Sequence, residues 1–155
     1  MSTILIAIDP GKNAGVAVFK DGKLIHNTYI VNKSYVPFNE FMDNIMVEVN
    51  IHKTKHDVFR MVVEKTFFKF GSANVPHLKT LGVLEYFYNC AFIAPTSVKK
   101  LVTGSGRASK EEVLNAVFCK LSKYEMNSLI HDREDTVDAV AIGLAFLKQL
   151  EELND

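Results

Sequence analysis

The feature that most constrains this chain is its first apolar run. Thr3-Ile-Leu-Ile-Ala-Ile8 is unbroken, rich in β-branched residues, and stops abruptly at Asp9-Pro-Gly11. A strand that alternates can leave one face in water, but an unbroken apolar strand must be covered on both. The chain therefore needs helices on both faces of a sheet. Its 155 residues, 48% of them apolar, are enough for one such core, so a single domain over residues 1–155 is expected.

The rest of the chain follows this pattern. Gly15 to Lys20 reads as a second strand, Lys20-Asp-Gly-Lys23 as a hairpin turn with Asp-Gly at its tip, and Leu24 to Val31 as a third strand. In the third strand strict alternation puts Leu24, His26 and Thr28 on one face and Ile25, Asn27 and Tyr29 on the other. Phe38, Phe41, Ile45, Val49 and His52 recur at helical spacing. Val58 to Glu64 is a further strand, residues 65–75 a loop, and Pro76 opens a helix through Cys90. Ala91 to Ala94 is a short strand, and Thr96 caps a short helix that Gly104 ends. Ser109 and Glu112 form a capping box before a helix carrying Val113, Ala116, Val117 and Leu121. Residues 122–131 read as a linker, and a last helix runs from near Asp132 to about Leu150. The order predicts an α/β fold, with a mixed sheet of three antiparallel and then parallel strands under helices.

No apolar run approaches the roughly 20 residues of a membrane span, and Thr3–Ile8 is too short for a signal peptide. Cys90 and Cys119 form no Cys-x-x-Cys pair and sit among apolar neighbours, so buried free thiols in a reducing cytoplasm are expected. The five histidines show no His-Glu-x-x-His or Cys/His zinc spacing. Net charge is zero, which argues against a simple basic DNA-coating protein, but the charge is unevenly spread. Lys65, Lys69, Lys79, Lys99, Lys100, Arg107 and Lys110 fall in a stretch whose only acid is Glu85. One basic patch beside one acidic patch suits an enzyme that grips a polyanion and binds metal through carboxylates.

The carboxylates carry the chemistry. Asp9 and Glu64 each end an apolar strand, while Asp135 and Asp138 lie one turn apart on a helix face that continues as Ile142, Ala145 and Phe146. Each has an ordinary explanation: a turn former at Asp9, an ion pair with Lys65 at Glu64, favourable helix-dipole placement at Asp135. Asp138, set among Ala139, Val140 and Ala141, has the weakest one. Acids at the head of a core-facing stripe are costly unless compensated, and a divalent cation compensates them. Mg²⁺ takes carboxylate oxygens and keeps several waters. Four carboxylates exceed the usual need of one such ion and suit two, about 3.5–4 Å apart.

Four stretches together resemble the RuvC family of Holliday-junction resolvases: Ile8-Asp-Pro-Gly-Lys-Asn-Ala-Gly15, Val63-Glu-Lys-Thr-Phe67, Val98 to Lys110, and Asp135-Thr-Val-Asp-Ala-Val-Ala-Ile142. The resemblance implies an RNase H-like core and a homodimer that cuts two strands of a four-way DNA junction with Mg²⁺ or Mn²⁺. It implies Asp9, Glu64, Asp135 and Asp138 as the catalytic, metal-binding set. It matches Phe67 to an aromatic at the junction centre, and Lys99 and Lys110 to phosphate-binding residues. Lys65, Lys69 and Arg107 join the expected DNA-binding set because they lie in the stretch whose only acid is Glu85. The acidic tail, the stretch between Lys120 and Glu134, and the aromatics Phe67, Phe68 and Phe70 depart from the family pattern where substrate choice is set. They point to a compact, phage-type member working in a bacterial host's cytoplasm.

Three other readings fit parts of the pattern. An RNase H-like nuclease acting on RNA, flaps or forks would keep the same site. A non-catalytic junction-binding module would have little use for clustered acids that repel DNA. Asp9-Pro-Gly with Gly15 also resembles the phosphate loop of actin-like and sugar-kinase ATPases, but this length leaves no room for their second nucleotide-binding half.

Overall fold

The computed structural model describes residues 1–11, 13–33, 36–54, 57–65, 75–129 and 134–154. The expected loop aromatics Phe67, Phe68 and Phe70, together with Lys69, His131 and Asp132, lie outside the described residues.

Among the described residues, five strands form one sheet in the order β3-β2-β1-β4-β5. They are β1 (Thr3–Asp9), β2 (Ala14–Lys20), β3 (Lys23–Ile30), β4 (Val58–Glu64) and β5 (Ala91–Ile93). β1 to β3 pair antiparallel, while β4 pairs parallel with β1 and β5 parallel with β4. The first run is central, as its unbroken hydrophobicity requires. Ile6, Ala7 and Ile8 are sealed from solvent. The β2–β3 turn places Asp21 (φ 50°) and Gly22 (φ 80°) in the left-handed region that this hairpin demands.

Helices cover both faces. Ile4, Ile6, Ile8, Val16, Val18, Met61 and Val63 pack under α1 (Phe38–His52) and α2 (Val75–Tyr88). Leu5, Ala7, Ala17, Phe19 and Val62 pack under α3 (Pro95–Thr103), α4 (Lys110–Lys120) and α6 (Glu134–Asn154). Burying each such Ile, Leu, Val or Phe contributes about 1.5–3 kcal/mol.

The structure departs from the sequence expectations in four places. Val18 pairs with His26 but Phe19 pairs with Leu24, so Ile25 is an extra residue, a β-bulge. Leu24 therefore joins Phe19 in the α6-side core while His26 turns to the α1 side, and the simple alternation fails. The short α3 takes Ala94 as its N-cap and Pro95 in its first turn, where proline's missing N–H is harmless; Thr96 is already helical. The expected linker contains a helix, α5 (Lys123–Ser128), with a capping box between Ser122 and Glu125. Glu125 accepts from the Leu24 N–H (2.8 Å), and the Ser128 carbonyl accepts from the Asn27 amide (2.9 Å), so α5 is fastened to edge strand β3. Finally, the thiols are free but not buried: Cys119 is exposed and Cys90 half-buried. Burial pushes the Cys90 thiol up to about 12, so it is unreactive. No helix, among the described residues, is long and apolar enough to cross a membrane.

Candidate active site

Asp9 and Glu64 stand at the C-terminal ends of neighbouring parallel strands, one residue beyond the last β1–β4 pair, Ile8 and Val63. Asp135 and Asp138 lie in the first turns of α6, which crosses β1 and β2 on the face bearing Leu5 and Ala7. Two glycines permit this crossing. A Cβ on Gly15 would sit 1.8 Å from the Asp135 carbonyl oxygen, and one on Gly143 would sit 2.1 Å from the Phe19 ring. A side chain at Gly15 would meet backbone and lift α6 with its two aspartates from the strand ends, while one at Gly143 would force the Phe19 ring to move. Gly11 lies beside the acids: a Cβ there would be tight only against the Asn13 carbonyl oxygen (3.1 Å) and in ordinary contact with Asp135 Oδ1 (3.7 Å) and Asp9 Oδ1 (3.8 Å).

The four acids, all half-buried, share one electrostatic environment. Burial, then the charges of Glu64, Asp138 and Asp135, push the Asp9 carboxyl up to about 8, against a hydrogen bond from the Gly11 backbone. Burial and Asp138 push Glu64 up to about 7, with Lys99 opposing. Burial likewise raises Asp138, with Lys110 opposing. The acids are close enough to repel one another.

Two residues that the sequence reading gave no role support this set. The Asn13 amide donates to Asp135 Oδ2 (3.4 Å), and its oxygen accepts from the Asn32 N–H (3.2 Å), linking the acid to the end of β3. Glu134 pairs with Lys110 at 2.8 Å; both are well exposed, so the pair adds little stability. Their shared hydrogen bond raises the Lys110 amine and lowers the Glu134 carboxyl.

Among the expected DNA-binding residues, Lys99 and Lys110 flank the acids, and their charges reach Glu64 and Asp138 respectively. Lys65 and Arg107 are exposed. Lys65 also lines an open cleft of about 710 Å³ with Lys100 and Lys148, a lysine the sequence reading passed over because it sits in an otherwise acidic tail. Phe67 and Lys69 fall outside the described residues.

Comparison with known proteins places the chain in a family. The family model for "Crossover junction endodeoxyribonuclease RuvC" matches residues 5–146. The chain belongs to the RuvC family. A RuvC of Aliarcobacter butzleri is 30% identical over 94% of this chain and 99% of its own length, and one of a Sulfurovum species is 29% identical over 94% and 96%. Among solved structures, Thermus thermophilus RuvC in complex with Holliday junction substrate superposes with a TM-score of 0.73 at 21% identity, covering 97% of this chain and 96% of that one. The Fowlpox virus resolvase, in complex with Holliday junction DNA, gives 0.60 at 18%, covering 96% and 99%. The RNase H-like fold expected from the motifs is thus the observed one. Membership of the RuvC family makes the chain a metal-dependent endodeoxyribonuclease of crossover junctions.

Proposed function

We propose that Asp9, Glu64, Asp135 and Asp138 are the catalytic, metal-binding residues with which this chain cuts four-way DNA junctions. The observation that carries the reading is the electrostatic state of Asp9. A carboxyl pushed to about 8 by burial and three neighbouring acids is a group that needs a cation. The donor set fits one: carboxylate oxygens are the ligands that hard divalent ions such as Mg²⁺ or Mn²⁺ take, and four of them suit two ions. When bound, such ions activate a water for attack on phosphorus and stabilise the departing oxygen.

The chain's own residues do the remainder. The strand ends and α6 fix the acids on a rigid frame, and Asn13 orients Asp135. Lys99 and Lys110 stand beside the acids to pair with the scissile strand's phosphates. Lys65 and Arg107, with Lys100 and Lys148 of the neighbouring cleft, extend basic surface for the junction arms. Two identical cuts on a two-fold symmetric junction suit a homodimer with one site per subunit. The residues form one nuclease domain acting in the cytoplasm, where recombining DNA is found.

The test is cleavage of a labelled, immobile four-way junction with Mg²⁺, beside a linear duplex, a fork and an RNA–DNA hybrid. Paired symmetric nicks confined to the junction are expected. Equal cutting of the duplex or the hybrid would replace the reading with a general RNase H-like nuclease, and binding without cutting in Mg²⁺ or Mn²⁺ would leave a junction-binding module.

A further inference from the structure

We propose that His26, Glu48 and His52 form a second metal site, for a transition-metal ion of the Zn²⁺ type, on the sheet face opposite the carboxylates. Three observations build it. Glu48 and His52 are one turn apart on α1 and so share a face. The bulge at Ile25 turns His26 toward that face, because His26 pairs with Val18, a residue of the α1-side core. The three ligand atoms then meet: His26 Nε2 lies 2.9 Å and His52 Nε2 3.2 Å from Glu48 Oε1, and all three lie within 4.8 Å of one another.

The state of His26 Nε2 points to a ligand rather than to a simple polar contact. The atom is closed off from solvent and makes no hydrogen bond, because the 2.9 Å approach to Glu48 has the wrong direction for one. His52 does make its hydrogen bond to the same oxygen. A buried ring nitrogen left in this way is costly, whereas its lone pair is what a metal takes up. Tetrahedral zinc binds imidazole nitrogen at about 2.0–2.1 Å and carboxylate oxygen at about 2.0–2.2 Å, which sets its ligands roughly 3.3 Å apart. The observed 2.9 and 3.2 Å are close to this spacing. Two imidazoles and one carboxylate select Zn²⁺ and its neighbours over Mg²⁺ or Ca²⁺, which prefer oxygen alone. The His26 side chain is 40% exposed, so water can reach the site's edge to complete the coordination. A metal there ties the bulged edge strand β3 to α1. The site does not depend on the role assigned to the carboxylates, which face α6.

The test is titration of the chelator-treated full chain with Zn²⁺ in competition with a colorimetric zinc indicator, followed by Co²⁺ loading read by its visible absorption. With excess Mg²⁺ present to occupy the carboxylates, one equivalent of zinc per chain and the intense bands of four-coordinate cobalt are expected. His52→Ala and His26→Ala should lose more affinity than the roughly 10–100-fold that removal of an outer partner costs, while Asp9→Asn should bind zinc as the wild type does. Glu48→Gln, nearly isosteric, keeps the test valid if a histidine variant fails to fold, and it should also weaken binding. No zinc binding by the folded wild type, unchanged binding in folded variants of this trio, or binding lost in Asp9→Asn instead, would each overturn the proposal.

Discussion

The two faces of the sheet are built to opposite ends. Under α1 and α2 the sheet presents Ile4, Ile6, Ile8, Val16 and Val18 to Phe41, Met42, Ile45 and Val49, an apolar contact that serves stability. Under α6 the apolar contact of Val140, Ala141 and Ile142 gives way, at the helix start, to Asp135 and Asp138 facing Asp9 and Glu64. The first face lowers the free energy of the fold; the second raises it locally and holds the energy where a cation can recover it. The proposed site lies where buried acids interrupt the apolar contact, and this contrast predicts which substitutions separate stability from activity.

The largest effect is expected where the two purposes meet. Gly15→Ala drives a methyl group into the Asp135 carbonyl, so it should cost upward of about 3 kcal/mol and abolish junction cleavage together; denaturant melts beside a cleavage assay check both. On the apolar face, Ile45→Ala removes a fully buried side chain and should cost about 2–5 kcal/mol, yet cleavage per folded molecule at low temperature should stay at the wild-type level. Loss of catalysis in the folded Ile45→Ala protein would erase the distinction.

The acid face should show the reverse. Asp9 titrates near 8 and Glu64 near 7 in the folded chain, far above the ordinary 3.8 and 4.5. The folded state therefore binds more protons than the unfolded one between about pH 4 and 8. The chelator-treated protein should lose stability as pH rises through that window. Asp9→Asn should flatten this slope and raise the melting temperature at pH 8 by about 2–4 °C for each kcal/mol recovered. A wild-type melting temperature independent of pH would contradict the assigned repulsion. The smallest effect belongs to the exposed charges. Lys110→Ala should weaken junction binding a few-fold at low salt, and the difference should shrink as salt is added.

Much of this was readable in the sequence, for physical reasons. A buried strand followed at once by an acid, at Asp9 and Glu64, and an Asp-x-x-Asp pair at the head of an apolar helix face are local patterns that name their own environment. The hairpin, the Ser109 capping box and both apolar faces of β1 were legible in the same way. The misses are of two kinds. α5 has six residues, too few for a helical apolar period, although Ser122 and Glu125 repeat the capping chemistry recognised at Ser109 and Glu112. The other misses need tertiary contact. The bulge at Ile25 leaves no composition signal, and it alone decides that His26 meets Glu48 and His52. Gly15 reads in the sequence as the start of a strand, and it does lie in β2, but its clearance for α6 shows only in the fold. Asn13 carries no signal until Asp135 is beside it.

The central claim is that the four carboxylates cut and the basic residues hold. The most direct measurement follows binding and cleavage of one labelled four-way junction by wild type, Asp9→Asn and Asp138→Asn in Mg²⁺. The account predicts wild-type binding by both variants with cleavage lower by about 10³-fold or more, since metal-assisted stabilisation is worth several kcal/mol. Full cleavage by either folded variant would contradict it.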